Sequence, residues 1–498
     1  MLYTSTRDNS IRVSAAQAIA QGISEEGGLF VPVELPKLDI DKISSMVPMS
    51  YIDRAKTVLK EFLTDFTDEE LDYCVEGAYA QEKFSSNKIA PTVNVSGNKN
   101  ILELWHGPTC AFKDMALQLL PYLMTVSAKK SADGKTIVIL VATSGDTGKA
   151  ALEGFKNVDN TKILVFYPVD GVSPMQKLQM TTQEGDNVAV CAINGNFDDA
   201  QSAVKSIFTN ADIKAQLAEK NMMFSSANSI NWGRLVPQIV YYFSTYCDMI
   251  EMGRIKAGEP INVVVPTGNF GNILAGYYAK KMGLPIKKLV CASNSNNVLT
   301  DFLKTGTYDR NRAFYTTTSP SMDILISSNL ERLLYHMSDE NSALINDLMN
   351  SLSTDGKYSV SADMLAKIQE EFDAGYTSEN SVDETIKTHF DSYNYLCDTH
   401  TAVAVKVYDE YVKATGDDIP TVIDSTASPY KFSASVLSAV LDGKKPELDE
   451  FEMVEELNRI TGADVPKPLA SLRDKKVRFT DVCNKEDMSQ MVFKLLNL

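Results

Sequence analysis

The chain has 498 residues, 44% hydrophobic and 23% charged, with a net charge of −17. That composition fits a globular chain of two or three domains and excludes a disordered or fibrous one. The acidic balance argues against nucleic-acid partners, and no run of about 18 apolar residues offers a membrane span.

The first residues, Met1-Leu-Tyr-Thr-Ser-Thr-Arg7, lack a basic region followed by an apolar stretch and do not read as a secretory signal. Residues 1–95 read as amphipathic helices with few strands. A helix is expected over 14–21, a turn into a short apolar strand at Gly27-Gly28-Leu29-Phe30-Val31-Pro32, and a helix over 68–79 with acids at its start. Seven scattered cysteines include no CxxC pair, so neither a zinc ribbon nor a disulfide framework is indicated and a reduced cytoplasm is expected. Four dispersed histidines give no evident metal site.

Next comes Trp105-His-Gly-Pro-Thr-Cys-Ala-Phe-Lys-Asp114, which sets Lys113 after an aromatic and before an acid, at the mouth of an apolar helical run. A lysine partly desolvated there has a lowered pKa and a free amine able to attack a carbonyl. That is what an enzyme needs to hold pyridoxal phosphate (PLP) as a Schiff base. A solvated surface lysine is the plain alternative. Cys110, three residues earlier, reads as a small buried packing residue.

From about 100 onward, apolar β-rich runs at 136–141, 162–166, 188–193, 261–265, 288–291 and 420–423 alternate with helices. Such runs indicate parallel strands buried on both faces and an α/β layered fold. Ligands in such folds bind at the carboxyl ends of strands. The first run ends in Ala142-Thr-Ser-Gly-Asp-Thr-Gly148, an anion-binding turn or an ordinary turn capped by Ser144 or Asp146. Ser173-Pro-Met-Gln-Lys-Leu-Gln179 places Lys177 just past a strand end. Ser225-Ser-Ala-Asn-Ser-Ile-Asn-Trp-Gly-Arg234 gathers Asn228, Ser229, Asn231 and Arg234 before an apolar helix. Arginine with amide and hydroxyl donors suits a phosphate or carboxylate, although a surface ion pair is equally compatible. Pro266-Thr-Gly-Asn-Phe-Gly-Asn272 is a glycine loop entering a helix, a backbone phosphate site. Asp424-Ser-Thr-Ala-Ser-Pro-Tyr-Lys-Phe432 clusters hydroxyls at the last strand end, with Thr426 able to meet a ring nitrogen. The Lys113 segment, the two glycine loops, the hydroxyl cluster and the Arg/Asn cluster are expected on one edge of one sheet. Residues 325–395 read as a polar, acidic helical subregion with breaks at Asp355-Gly356 and Ala374-Gly375, and charged helices follow about 445.

Taken in order, these segments resemble the threonine synthase family, in the branch found in fungi and many bacteria. Gln21-Gly and Glu26-Gly-Gly-Leu-Phe-Val-Pro32 resemble that family's leading domain. The resemblance implies a fold-type-II PLP enzyme of the tryptophan-synthase-β kind: two open-sheet α/β lobes, a mainly helical N-terminal domain and a helical insertion. Its expected divisions are 1–95, a catalytic core over 96–445 with an insertion at about 325–395, and a C-terminal helical region over 446–498. It implies conversion of O-phospho-L-homoserine and water to L-threonine and phosphate, by a cytoplasmic monomer that acts on a small molecule. Lys113 would form the Schiff base and shuttle protons. Gly268, Asn269, Phe270, Gly271 and Asn272 would bind the cofactor phosphate, Thr426 the pyridine nitrogen, and Asp146 would lie near the phenolic oxygen. Ser144, Gly145 and Thr147 would hold the substrate carboxylate; Asn231 and Arg234, with Lys177, its phosphate. Ser428 stands where the family often has histidine, and Asp146 where the wider fold pattern has asparagine. No long N-terminal regulatory extension resembles that of the plant branch, so no activation by S-adenosylmethionine is expected. Rival expectations are a PLP lyase giving a 2-oxo acid from phosphohomoserine, threonine or serine, and a catalytically silent PLP-binding protein. A dinucleotide-binding oxidoreductase lacks its GxGxxG turn.

Overall fold

The computed structural model describes residues 1–498 except Ala132, Asp133, Ser144, Gly171 and Asn196; for Phe197 and Asp198 it describes the backbone alone. Near the start, β1 (Tyr3–Ser5) pairs antiparallel with β2 (Phe30–Pro32). The intervening helix Ala15–Gln21 starts in a capping box of Ser14 and Gln17. Thr67 and Glu70 form another at helix Asp68–Ala78.

The strands that follow are β3 (Thr92–Ser96), β4 (Lys99–Glu103), β5 (Thr136–Ala142), β6 (Thr161–Pro168), β7 (Val188–Asn194) and β8 (Met222–Ser225). Then come β9 (Ile261–Pro266), β10 (Ile286–Ser293), β11 (Thr307–Asp309), β12 (Lys357–Ser359), β13 (Phe372–Tyr376), β14 (Thr421–Ser425) and β15 (Val482–Asn484). One sheet has the order β13-β10-β9-β14-β4-β3, parallel except for the β3–β4 pair. A second, fully parallel, has the order β15-β7-β6-β5-β8. β9 is buried along its whole length, and β5 buries all but its two end residues. Helices on both faces exclude water from these strands, which is why their sequences are continuous rather than alternating. The architecture is thus an α/β fold with two open sheets and a largely helical N-terminal region. No described helix is long and apolar enough to cross a membrane.

Three expectations need correction. The candidate loops arise from two sheets, not from one edge of one sheet: those after β5 and β8 belong to the five-stranded sheet, those after β9 and β14 to the six-stranded one. Residues 325–395 are mostly helical, as read, but they also contribute the short strands β12 and β13. Ala374-Gly375, read as a break, lies inside β13, an edge strand on β10. The last region adds β15 to the edge of β7. These edge strands have one neighbour each and need no long apolar run.

Helix Trp232–Glu251 ties the N-terminal region to the sheets. It is buried from Trp232 through Met249. Tyr3 and Phe62 pack their rings on Trp232 at 5.3 and 5.7 Å. Arg54 meets Asp248 at 2.7 Å, buried, with Ser244 Oγ also accepting from the guanidinium. The helix therefore holds a fixed position at the end that opens on the loops.

Candidate active site

Strand β14 lies between β9 and β4, and Ser425 stands opposite Glu103. That register brings the segment after β4 alongside the segment after β14. Leu104 N–H donates to Ser425 O at 3.0 Å, Phe112 N–H to Thr426 O at 2.8 Å, and Ser428 N–H to Cys110 O at 3.0 Å. The turn needs Cys110 at φ +59°. Its thiol is pushed up to about 12 by burial, so it packs and does not react. Asp114 does not face the lysine amine. Thr109 donates to it from N–H at 2.8 Å and Oγ1 at 2.7 Å, which closes the loop.

Lys113 opens helix Lys113–Leu117, with its side chain 11% exposed. Its Nζ donates to Ser321 Oγ at 3.0 Å and lies 3.5 Å from Asp146 Oδ2. Burial lowers its pKa, Asp146 opposes the shift, and Lys431 and Arg234 reinforce it. Asp146 carries a second cation: Lys431 Nζ sits 2.8 Å from its Oδ1 and donates to Thr109 O at 2.9 Å. Burial works against the Asp146 carboxylate, yet Lys431 and Lys113 hold it far below the usual carboxylate range. The amine thus neighbours an acid whose charge is already shared.

Asp146 begins helix Asp146–Phe155 and does not cap it, and Ser144, the other expected cap, lies outside the described residues. The cap residue is Gly145 at φ +136°, a conformation glycine permits, and a Cβ there would stand 2.4 Å from Gln176. Thr143 Oγ1 accepts from the N–H groups of Gly145 at 3.0 Å and Gly148 at 2.9 Å. Gly145 N–H is therefore committed inward rather than offered to a carboxylate. The first-turn N–H groups of Asp146 and Thr147 keep no intrahelical partner. Gln176 Nε2 donates to Asp146 Oδ1 at 3.1 Å. Lys177, next to Gln176, is exposed and faces elsewhere. It lines a separate cavity of about 410 Å³ with Tyr167, Leu178 and Phe479. Helical spacing puts Gln176, not Lys177, on the inner face.

After β9, helix Gly271–Met282 starts with Phe270 at φ +62° and no side-chain cap. Its leading N–H groups point out of the helix without partners, a ready anion site. Asn269 is exposed, and its carbonyl accepts from Asn329 N–H at 3.1 Å. Asn272 turns its side chain inward. Its Oδ1 accepts from Tyr241 and, at 2.7 Å, from Tyr242. The single Tyr242 hydroxyl hydrogen is shared between Asn272 Oδ1 and Asp424 Oδ2, the latter at 2.9 Å, while Asp424 Oδ1 and Asn272 Nδ2 are buried without partners among the described residues. Thr426, 5% exposed, follows Asp424 by two residues at the end of the strand.

Burial pushes Asp424 up to about 7, against the Tyr242 hydrogen bond and the nearby Asn272 amide. Its folded-state pKa exceeds the unfolded value near 4, so its contribution to stability is lost as pH rises from about 4 through about 7. Asp424→Asn removes that dependence. Relative to the wild type, its stability should grow by a few kcal/mol across that window and stay level above it, read from denaturant midpoints. A constant difference at all pH values would refute the assignment.

Arg234 lies in the first turn of Trp232–Glu251, 4% exposed. It donates to Ala227 O, its Nε has no partner, and no carboxylate pairs with it among the described residues. Burial draws it down to about 10. Asn231 does not share the site. It is the helix cap, accepting from Gly233 N–H at 2.8 Å and donating to Ile19 O at 3.0 Å and Ser226 O at 2.9 Å. Both amide hydrogens are spent, so none remains for a substrate phosphate. Ser428, also fully buried, accepts from Tyr430 N–H at 3.4 Å as a local cap.

Sequence reasoning missed Thr143, Gln176, Ser321, His400 and Lys431 as members of this enclosure. Lys431 had a signal, being part of the hydroxyl-rich segment after β14. Ser321 and His400 had none, because only the folded chain brings 319–323 and 398–401 to Lys113.

The matched family models describe the "Threonine synthase N terminus" over residues 2–79, "Pyridoxal-phosphate dependent enzyme" over 101–422, and "Threonine synthase, C-terminal" over 401–492. The chain is 42% identical to "Threonine synthase-like 1" of Pongo abelii over 87% of its own length and 59% of that protein's. It thus spans about three fifths of the first relatives it matches. It is 38% identical to threonine synthase of Pseudomonas aeruginosa, covering 90% of this chain and 92% of that one. Its fold superposes on PLP-bound threonine synthase from Brucella melitensis with a TM-score of 0.88 at 36% identity, covering 99% of each chain. A buried lysine amine, an uncapped helix start and strand-end hydroxyls define a PLP-dependent enzyme, and the middle match agrees. Within that class, the chain belongs to the threonine synthase family.

Proposed function

We propose that this protein converts O-phospho-L-homoserine and water to L-threonine and phosphate, a carbon–oxygen lyase reaction on a phosphate ester. The observation that carries this reading is Arg234, a buried guanidinium with no carboxylate partner among the described residues, in the same enclosure as Lys113. A cation kept dry at that cost waits for an anion.

The residues present fit PLP. The leading N–H groups from Gly268 to Asn272 would bind its phosphate, Thr426 Oγ1 would face its ring nitrogen, and Lys113 Nζ would hold its carbonyl carbon. When bound, it supplies an electron sink for charge developing on the substrate carbons. Lys113, exchanged for the substrate amine, moves protons at Cα and Cβ. Burial lowers its pKa, which favours the neutral amine that can act as a base. Lys431 shares the Asp146 charge and so weakens the pull of Asp146 on that proton. The first turn at Asp146 and Thr147 holds the substrate carboxylate, and Arg234 its phosphate.

We place the cofactor-binding core at 96–445, with 1–95 and 446–498 as flanking regions. Seven free, buried cysteines fit a reducing cytoplasm. The resemblance to the fungal and bacterial branch is the ground for reading it as a monomer. The net charge of −17 fits a small-molecule partner and neither nucleic acid nor an anionic membrane surface. Purified holoenzyme given phosphohomoserine should release phosphate and threonine in equal amounts. A 2-oxo acid with ammonia would replace this reading with the lyase, and no turnover would replace it with a silent cofactor-binding protein.

A further inference from the structure

The loop over 317–323 crosses the mouth of the glycine turn. A Cβ on Gly268 would stand 2.5 Å from Ser321 O, so only glycine lets the two backbones approach. Polar bonds fix this loop from several sides. Asp323 accepts from Thr317 N–H at 2.9 Å, Asn294 at 2.7 Å and Asn296 at 2.9 Å. Thr318 N–H donates to Glu379 at 2.7 Å, and Thr399 Oγ1 donates to Thr318 O at 2.7 Å.

At its centre, Ser321 N–H donates to His400 Nε2 at 3.2 Å. A ring nitrogen that accepts carries no hydrogen, so the hydrogen resides on Nδ1, which lies 2.7 Å from Asp398 Oδ2. Asp398 is fully buried and caps helix Thr399–Thr415, accepting from the N–H groups of His400 and Thr401. The Phe432 ring packs on the imidazole at 4.9 Å between centroids. Tautomer and ring plane are both set, and the bond to Ser321 follows from them.

We propose that His400, oriented by Asp398, is a positioning residue: it fixes Ser321 so that its hydroxyl is the acceptor for the Lys113 amine once the substrate amine has freed it. The inference rests on the assignment of Lys113 as the proton-moving lysine. Among the described residues the amine has two acceptors within reach. Ser321 Oγ at 3.0 Å is neutral; Asp146 Oδ2 at 3.5 Å is anionic. An amine settled on Asp146 becomes an ammonium and cannot take a proton. An amine settled on a hydroxyl stays a base. Lys431 and Arg234, the other charged groups bearing on it, favour the neutral form.

The test is a mutant cycle on the holoenzyme with His400→Leu, Ser321→Ala and both together. Each single change should lower kcat by about 10- to 100-fold, the scale of a misplaced catalytic group, with KM nearly constant. The acidic limb of the kcat–pH profile should move to higher pH, because Asp146 then holds the proton on Lys113. The double variant should be no slower than Ser321→Ala, and His400→Gln, which keeps an acceptor, should recover most of the loss. Losses that multiply in the double variant, or an unmoved pH limb, overturn the inference. Ser321→Ala removes one oxygen and keeps the N–H bond to His400, so it decides the question even where His400→Leu does not fold. Borohydride reduction of the wild type separates the two levels: cofactor fixed on a residue other than Lys113 overturns the lysine assignment and this inference with it.

Discussion

Lys113→Ala should abolish both turnover and covalent retention of the cofactor. Loss of a positioned acid–base group alone costs roughly 10²- to 10⁴-fold, and here the same amine also holds the cofactor. Borohydride reduction of the wild type should fix PLP on the Lys113 peptide, visible by mass, and the variant should yield no such peptide. The enclosure should survive, because the bonds that join 104–112 to 425–428 are between backbone groups. Cofactor still bound through its phosphate would then wash out on dialysis. Turnover retained with a normal cofactor spectrum would end the assignment.

Arg234→Met should move affinity and stability in opposite directions. The guanidinium is 4% exposed, pairs with no carboxylate among the described residues, and leaves Nε unpartnered. Burying such a charge costs several kcal/mol, and an apolar chain of similar length removes that cost. The melting temperature should therefore rise, although Ala227 O loses a donor. In the same variant KM for phosphohomoserine should rise about 10- to 100-fold, the range for one or two charge-assisted bonds. PLP content should not change. A lower melting temperature with an unchanged KM would make Arg234 a structural cation and remove the main support for a phosphorylated substrate.

The parts of this architecture legible in the sequence are those whose signal is local. Buried parallel strands such as Ile261–Pro266 announce themselves as continuous apolar runs. The glycine loop and the Lys113 segment carry their chemistry in a few adjacent residues. Edge strands escaped: Phe372–Tyr376 and Val482–Asn484 are half-solvated, and their pairing depends on distant partners. Asn231 and Lys177 show the limit from the other side. Both have suitable groups, yet one spends its amide capping a helix and the other points out of the helix face. The Asp398–His400–Ser321 arrangement was illegible because its members are 77 or more positions apart from the serine and converge only through tertiary packing.

The placement of β14 between β4 and β9 also sets a timetable. Strand Lys99–Glu103 leaves the ribosome early, but its neighbour Thr421–Ser425 follows more than 300 residues later. At typical elongation rates that is a wait of roughly 15 to 60 seconds. During it, one edge of β4 has no partner, and the lysine segment lacks the backbone that will hold it. The cofactor therefore meets a nearly finished chain and cannot nucleate its folding.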